Sequence, residues 1–198
     1  MTYLALGDSY TIGEAVPLYE NFPMQLVQEL RKSGVPAAAP EILARTGWTT
    51  NELISAMDQY IFAGPYDLVT LLIGVNNEYR GRTTENFLSE FDVLVNRAVR
   101  LCRKGKNGLV VLSIPDYSVI PFARDLNRES IRTRIDAFNA GCKAYCNTHN
   151  IRFLDITETT RGFSTDNDFL AADALHYSAK TYLHWAKMLS EIIPHEQP

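Results

Sequence analysis

Serine becomes a useful nucleophile only when a base takes its proton and nearby donors hold the oxyanion that its attack creates. Bases of the right kind are few in this chain. It has four histidines: His149 and His184 fall inside segments of helical period, His195 lies in the C-terminal tail, and His176 sits in the loop before the last helix. Only His176 has a carboxylate in suitable register, Asp173, three residues earlier in Ala172-Asp173-Ala174-Leu175-His176. That spacing lets a turn lay the carboxylate on the imidazole and leaves the other ring nitrogen toward a substrate. The competing reading is a capped turn with a surface histidine, and Asp-x-x-His alone is a weak signal.

Five apolar, β-branched-rich runs, at residues 3–7, 41–44, 68–73, 109–114 and 152–156, alternate with longer segments of helical period. This is the pattern of a parallel sheet covered on both faces, an α/β architecture. The third and fourth runs are nearly continuous in Leu, Val and Ile, as central strands buried on both sides require. Helices are predicted over 21–32, 84–103 and 128–150. Another follows Thr49-Thr50-Asn51-Glu52, a Thr cap with Glu three residues on, heading a stripe of Leu53, Met57 and Ile61. Ser178 caps the last helix, whose apolar face includes Leu183, Ala186, Leu189 and Ile193. Residues 105–108 and 115–124 are connections too short to divide domains, and one domain over 1–198 is expected.

In an open parallel sheet the ligand site lies beyond the carboxyl ends of the strands. The first strand is followed by Gly7-Asp8-Ser9-Tyr10, the second by Arg45-Thr46-Gly47-Trp48, the third by Gly74-Val75-Asn76-Asn77. These loops are predicted to share one rim. A lone serine in Ser9's place more commonly caps a helix. Here, however, the Asn76 side-chain amide and the backbone N–H groups of Gly47 and Ser9 offer three donors for one oxygen.

Together these residues resemble the SGNH/GDSL serine hydrolases. Gly7-Asp8-Ser9-Tyr10 looks like their GDS(L) block, Gly47 like their isolated glycine, Gly74-x-Asn76 like their G-x-N block, and Asp173-x-x-His176 like their C-terminal block. The match runs in order from residue 7 to residue 176. The resemblance implies a three-layer, flavodoxin-like fold with five parallel strands, and esterase chemistry without metal or organic cofactor. It implies Ser9 as nucleophile, His176 as base, Asp173 as its orienting carboxylate, and Ser9, Gly47 and Asn76 as oxyanion hole. Two positions depart from the family pattern: Asn77 stands where Asp is common, and Tyr177 where Pro is common, which puts the substrate class in doubt. The block also lacks the second glycine of G-x-S-x-G, which argues against an α/β-hydrolase nucleophile elbow.

Candidate substrate contacts are Tyr10, Tyr79, Arg80, Asp116 and Tyr177, with Arg80 suited to a carboxylate or phosphate and Tyr177 to narrowing the mouth. Asp8 reads as a structural anchor of its loop. The absence of any long apolar insertion favours short acyl groups, acetyl first, on a small-molecule or carbohydrate ester. Two other functions remain open: a flavodoxin-like domain in which Ser9, Tyr10, Thr11 and Gly13 cradle a phosphate or flavin, and a catalytically silent binding protein of the same fold.

Composition narrows the partners. The net charge is -4, with 19 Lys and Arg against 23 Asp and Glu, which gives no general attraction for nucleic acid or anionic lipid. No apolar run approaches the ~20 residues of a membrane span, and the first residues carry no basic region followed by an apolar stretch. A cytoplasmic chain is the expectation, with export open if a leader has been removed. Cys102, Cys142 and Cys146 fall in helical segments as buried free thiols. Cys142, Cys146 and His149 share a helix face, but Phe138 and Tyr145 extend that face as a core stripe, so no metal is expected.

Overall fold

A computed structural model describes residues 1–163 and 167–193; His195 lies outside them. Five strands, β1 (Tyr3–Gly7), β2 (Glu41–Ala44), β3 (Leu68–Leu72), β4 (Leu109–Leu112) and β5 (Arg152–Leu154), form one all-parallel sheet in the order β2-β1-β3-β4-β5. Every residue of β1, β3 and β4 is buried, as their nearly unbroken apolar composition demands of strands covered on both faces. Leu6 pairs with Leu43 on one side and Leu71 on the other, at the centre of the core.

Helices cover both faces. On one, α2 (Phe22–Lys32) packs along α8 (Ala179–Ile192); on the other, α5 (Thr84–Leu101) is flanked by α3 (Thr50–Gln59) and α6 (Arg128–His149). Three short helices, α1 (Ser9–Ile12), α4 (Val75–Tyr79) and α7 (Thr157–Gly162), begin close beyond the ends of β1, β3 and β5. The long helices start where side chains satisfy their first free amides. Asn21 accepts from the Met24 amide at 2.9 Å, Thr83 from Asn86 at 3.2 Å and Asn127 from Ser130 at 3.0 Å. The expected Thr49–Glu52 box is present, with the Thr49 amide donating to Glu52 Oε2 at 2.8 Å.

The third, fourth and fifth strands are each shorter than the apolar runs suggest. The backbone beyond β4 leaves the ladder for side-chain partners: the Ile114 amide donates to Asn139 Oδ1 at 2.7 Å, and Ser113 Oγ accepts from the Ile156 and Thr157 amides at 2.8 and 3.1 Å. The third helix also ends early. It stops at Gln59, so Ile61, expected in its core stripe, is 94% exposed. In α8 the buried face runs through Thr181, Tyr182, Trp185, Ala186 and Leu189, turned away from Leu183 because Trp185 fills the space among Tyr10, Phe22 and Tyr177. The three cysteines are buried and unbridged. His149 stacks on Tyr145 instead of joining Cys142 and Cys146. No group of three or more His, Cys, Asp or Glu among the described residues is arranged to hold a metal. No helix among them is long and apolar enough to cross a membrane.

Two truncations separate true core from false. Leu71→Ala should lower unfolding free energy by about 2–5 kcal/mol, whereas Ile61→Ala should change it by less than about 0.5 kcal/mol. Urea midpoints at unchanged m-value measure both.

Candidate active site

The site begins where β1 stops. Gly7 lies so close to the start of α1 and to β3 that a Cβ would sit 2.1 Å from Thr11 Oγ1 and 2.3 Å from the Leu72 carbonyl oxygen, so no other residue fits. Asp8 then caps α1: Oδ1 accepts from the Tyr10 amide at 3.1 Å, and its carbonyl accepts from Thr11 and Ile12 at 3.1 and 3.0 Å. The anchoring role expected of Asp8 is therefore what the geometry provides. It has a chemical consequence. The amides that a phosphate would need at this turn are already engaged, which counts against the phosphate-cradle reading, while the Ser9 amide donates to no acceptor among the described residues.

The loops after β2 and β3 carry the other two expected donors; Asn76 lines the same cavity as Ser9, whereas Gly47 is not among the residues that line it. Gly47 has φ +84, a conformation that suits glycine, and its amide likewise has no acceptor among the described residues. Asn76, on the first turn of α4, donates one Nδ2 hydrogen to the Trp48 carbonyl at 3.0 Å, which leaves the other available. Arg80 holds this arrangement from below. It donates to the Gly47 carbonyl at 2.7 Å and to Glu52 Oε2 at 3.1 Å. Arg80, expected as a substrate contact, ties the two loops together and is not among the residues that line the cavity.

Asn77 is fully buried and grips the start of α3: its Oδ1 accepts from the Thr50 amide at 3.0 Å and its Nδ2 donates to Thr50 Oγ1 at 2.6 Å. Thr50 Oγ1 in turn donates to Glu90. The single hydroxyl proton is committed to Glu90, so the group at position 77 must itself donate. An amide does; an ionised carboxylate does not.

Asp173 and His176 meet across one tight turn. The His176 Nδ1 to Asp173 Oδ2 distance is 2.6 Å, and Asp173 Oδ1 accepts from the Leu175 and His176 amides at 3.0 and 2.9 Å. Burial raises the Asp173 pKa, but these hydrogen bonds outweigh it and hold the carboxyl below its ordinary value. An ionised Asp173 can only accept, so Nδ1 is the donor in this contact. Tyr10 packs edge-on to the imidazole at 6.1 Å. Ser9 and His176 line the same cavity, of about 300 Å3, without a direct hydrogen bond among the described contacts, a spacing common before substrate arrives.

That cavity is also lined by Tyr10, Val75, Asn76, Tyr79, Tyr117, Phe122 and Leu175. Tyr10 and Tyr79 stand where substrate contacts were expected. Two others do not. Asp116 is fully buried, paired with Arg161 at 2.7 Å and bonded to the Ser118 amide at 2.9 Å, so it anchors its loop. Tyr177 is 2% exposed and packs against Tyr10 and Trp185, so it supports the wall from behind and does not narrow the mouth. The strand-end rule led to the right loop after β4 but to its charged residue. The lining side chains there are the aromatic Tyr117 and Phe122, which sequence reasoning passed over because an acid looks more chemical than a phenyl ring.

Comparison with known proteins adds three findings. The model of the GDSL-like lipase/acylhydrolase family matches residues 5–183. A search of the curated proteins finds no sequence match. Among solved structures, a lipase/acylhydrolase from Enterococcus faecalis superposes with TM-score 0.77 at 20% identity, covering 96% of this chain and 94% of that one. A G-D-S-L family lipolytic protein from Veillonella parvula gives 0.75 at 17%, covering 97% of both. A mutant of an acetyl-xylooligosaccharide esterase from Geobacillus stearmophilus gives 0.75 at 19%, covering 98% and 94%. At these identities the likeness establishes the fold.

Two buried carboxyl questions are open to direct measurement. Asn77→Asp should cost about 1–3 kcal/mol, because the introduced carboxylate and Glu90 would compete for one hydroxyl proton; adding Glu90→Gln should recover part of that loss in a double-mutant cycle. Burial, set against hydrogen bonds from the Tyr10, Gly74 and Asp8 amides, pushes the Asp8 carboxyl up to about 7. The folded state then holds this proton between about pH 4 and 7 while the unfolded chain does not, so stability falls as pH rises through that window. Asp8→Asn should remove this slope, at most about 1.4 kcal/mol per pH unit. Unfolding free energies of the two proteins measured from about pH 4 to 8 should converge at the acid end and diverge, in favour of Asn, toward neutral pH.

Proposed function

The chain belongs to the GDSL-like lipase/acylhydrolase family and is a carboxylic ester hydrolase, and from that premise we propose that Ser9, His176 and Asp173 are its catalytic triad. The observation that carries this assignment is the 2.6 Å Asp173–His176 contact at the edge of the cavity that Ser9 also lines. Ser9 Oγ attacks the ester carbonyl carbon while its proton passes to His176 Nε2. The resulting oxyanion accepts from the Ser9 and Gly47 amides and from Asn76 Nδ2. Collapse breaks the bond to the alcohol oxygen, which takes the proton from His176 and leaves as the alcohol. Water then gives a proton to His176 as it attacks the acyl-enzyme, and the carboxylic acid departs as Ser9 recovers its proton. Asp173, kept charged by its hydrogen bonds, fixes the tautomer and stabilises the imidazolium throughout.

Short acyl groups, acetyl first, are the proposed acyl class. A cavity of about 300 Å3 must hold both sides of the ester, which favours a small acyl portion. No metal or organic cofactor enters these steps, because each proton and bond is handled by the named side chains and water.

The deciding assay is hydrolysis of p-nitrophenyl esters, with a fluorophosphonate probe as independent label. Ser9→Ala and His176→Ala should each lose on the order of 10⁶-fold in kcat, and labelling should vanish with Ser9→Ala. Activity that survives both substitutions would end the triad assignment. No labelling of the wild type at all would favour a silent binding protein. Preference for acyl chains of about ten carbons over acetyl would overturn the short-acyl reading, since each buried methylene contributes roughly 0.8 kcal/mol.

A further inference from the structure

Beyond the reacting groups, one side of the cavity is built from three aromatic rings. Tyr79 closes α4, while Tyr117 and Phe122 lie on the connection after β4, in the 3-10 turns Tyr117–Val119 and Pro121–Ala123. Their centroids are 6.1–6.4 Å apart, at interplanar angles of 48–69°. The rings pack directly on one another in tilted and edge-on contact, so they form one continuous apolar wall of the cavity.

This wall is held firmly from behind. Glu78, fully buried, accepts from the Tyr117 hydroxyl at 2.5 Å and from Arg134 Nε at 2.6 Å. This ties α4, which carries Asn76 and Tyr79, to the loop that carries Phe122. Arg128 fastens the far end of the loop through the Ile120 and Ala123 carbonyls, both at 3.3 Å. Two rings nevertheless face solvent: Tyr79 is 58% and Phe122 42% exposed. Apolar rings held in place beside a nucleophile, yet left partly in water, are a surface awaiting an apolar group.

The polar inventory narrows the choice further. Of the lining residues, Ser9, Asn76 and His176 are assigned to the reaction and the Tyr117 hydroxyl is committed to Glu78. Tyr10 and Tyr79 add phenol groups, and among the described residues no Asp, Glu, Lys, Arg or Gln lines the cavity. A polyhydroxylated sugar would find few partners for its hydroxyls here and would leave several unpaired. An aromatic ring, by contrast, makes offset or edge-to-face contacts with tilted neighbours. Space permits it, since a cavity of about 150 Å3 already accommodates benzene and this one is about 300 Å3.

We propose that the cavity-facing side of the Tyr79, Tyr117 and Phe122 wall seats an apolar ring carried on the alcohol portion of the ester. The placement on the alcohol side rests on the short-acyl reading above, which leaves the larger part of the cavity to the other half of the substrate. The natural substrates are accordingly short-chain esters of ring-bearing, weakly polar alcohols, in preference to acylated sugars.

The test compares kcat/KM for benzyl acetate, ethyl acetate and peracetylated xylose, with methyl phenylacetate as the acyl-side arm. The wild type should prefer benzyl over ethyl acetate by on the order of tenfold. Phe122→Ala and Tyr79→Ala should each bring that ratio toward one, Tyr79→Phe should keep it, and Leu126→Ala, whose side chain is exposed outside the cavity, should not move it. A benzyl-to-ethyl ratio near one, or one indifferent to Phe122, overturns the ring seat. So does a Phe122-dependent preference for methyl phenylacetate over benzyl acetate, which moves the ring to the acyl side, or a Phe122-dependent preference for the acetylated sugar. These outcomes are distinct from failure of the hydrolase assignment, which would show as ethyl acetate turnover unaffected by Ser9→Ala.

Discussion

The strand order reverses at β1: the chain leaves β1 for β2 on one side and returns to β3 on the other. Connections that depart in opposite directions cannot fill the space above the strand ends, so a crevice opens there. The proposed chemistry depends on that crevice. Ser9 stands just beyond the end of β1, Asn76 just beyond β3, and Gly47 follows β2, while the Asp173–His176 turn, which leads into α8, brings His176 to the cavity that Ser9 lines. The near-unbroken apolar composition of β1, β3 and β4 keeps these ends from shifting, because a slip in a sheet buried on both faces would strand large side chains.

Around this frame, buried polar groups hold the reacting ones indirectly. Asp8 takes the amides beyond Ser9 and so leaves the Ser9 amide without an internal acceptor. Arg80 and Asn77 tie the Gly47 loop and α3 to α4, Glu78 ties α4 to the aromatic loop, and the Asp116–Arg161 pair secures that loop at its base. Each is a charged or amide group with its partners satisfied at close range, the condition under which burial of such groups is tolerated. Donors fixed in advance need little reorganisation as charge develops on the substrate oxygen. The exception in this set is Asp8, whose Oδ2 makes no hydrogen bond of good geometry and whose carboxyl burial pushes up to about 7.

Much was legible in the sequence. Continuous Leu, Val and Ile runs separated by helical periods determined the parallel α/β sheet, since only strands covered on both faces tolerate such runs. Asp-x-x-His determined a turn short enough for the carboxylate to reach Nδ1, and the glycines at positions 7 and 47 marked close approach and positive φ. These are local properties, fixed by side-chain chemistry and backbone geometry within a few residues.

What only the tertiary structure decided concerns which way side chains face and what lies opposite them. Tyr177 and Tyr79 are the same residue type on the same rim, yet α8 and Trp185 bury the first, while the second, at the end of a five-residue helix, is left over the cavity. Asp116 and Arg80 were as plausible for substrate as for structure until Arg161 and Gly47 proved to be their partners. Phe122 carried no chemical signal until the fold set it beside Ser9. Contacts between residues far apart in the chain have no signature in spacing, because they depend on packing of whole elements; the Ser9 turn and the Asp173–His176 turn were written in the sequence, and the walls around them were settled by the sheet and helices.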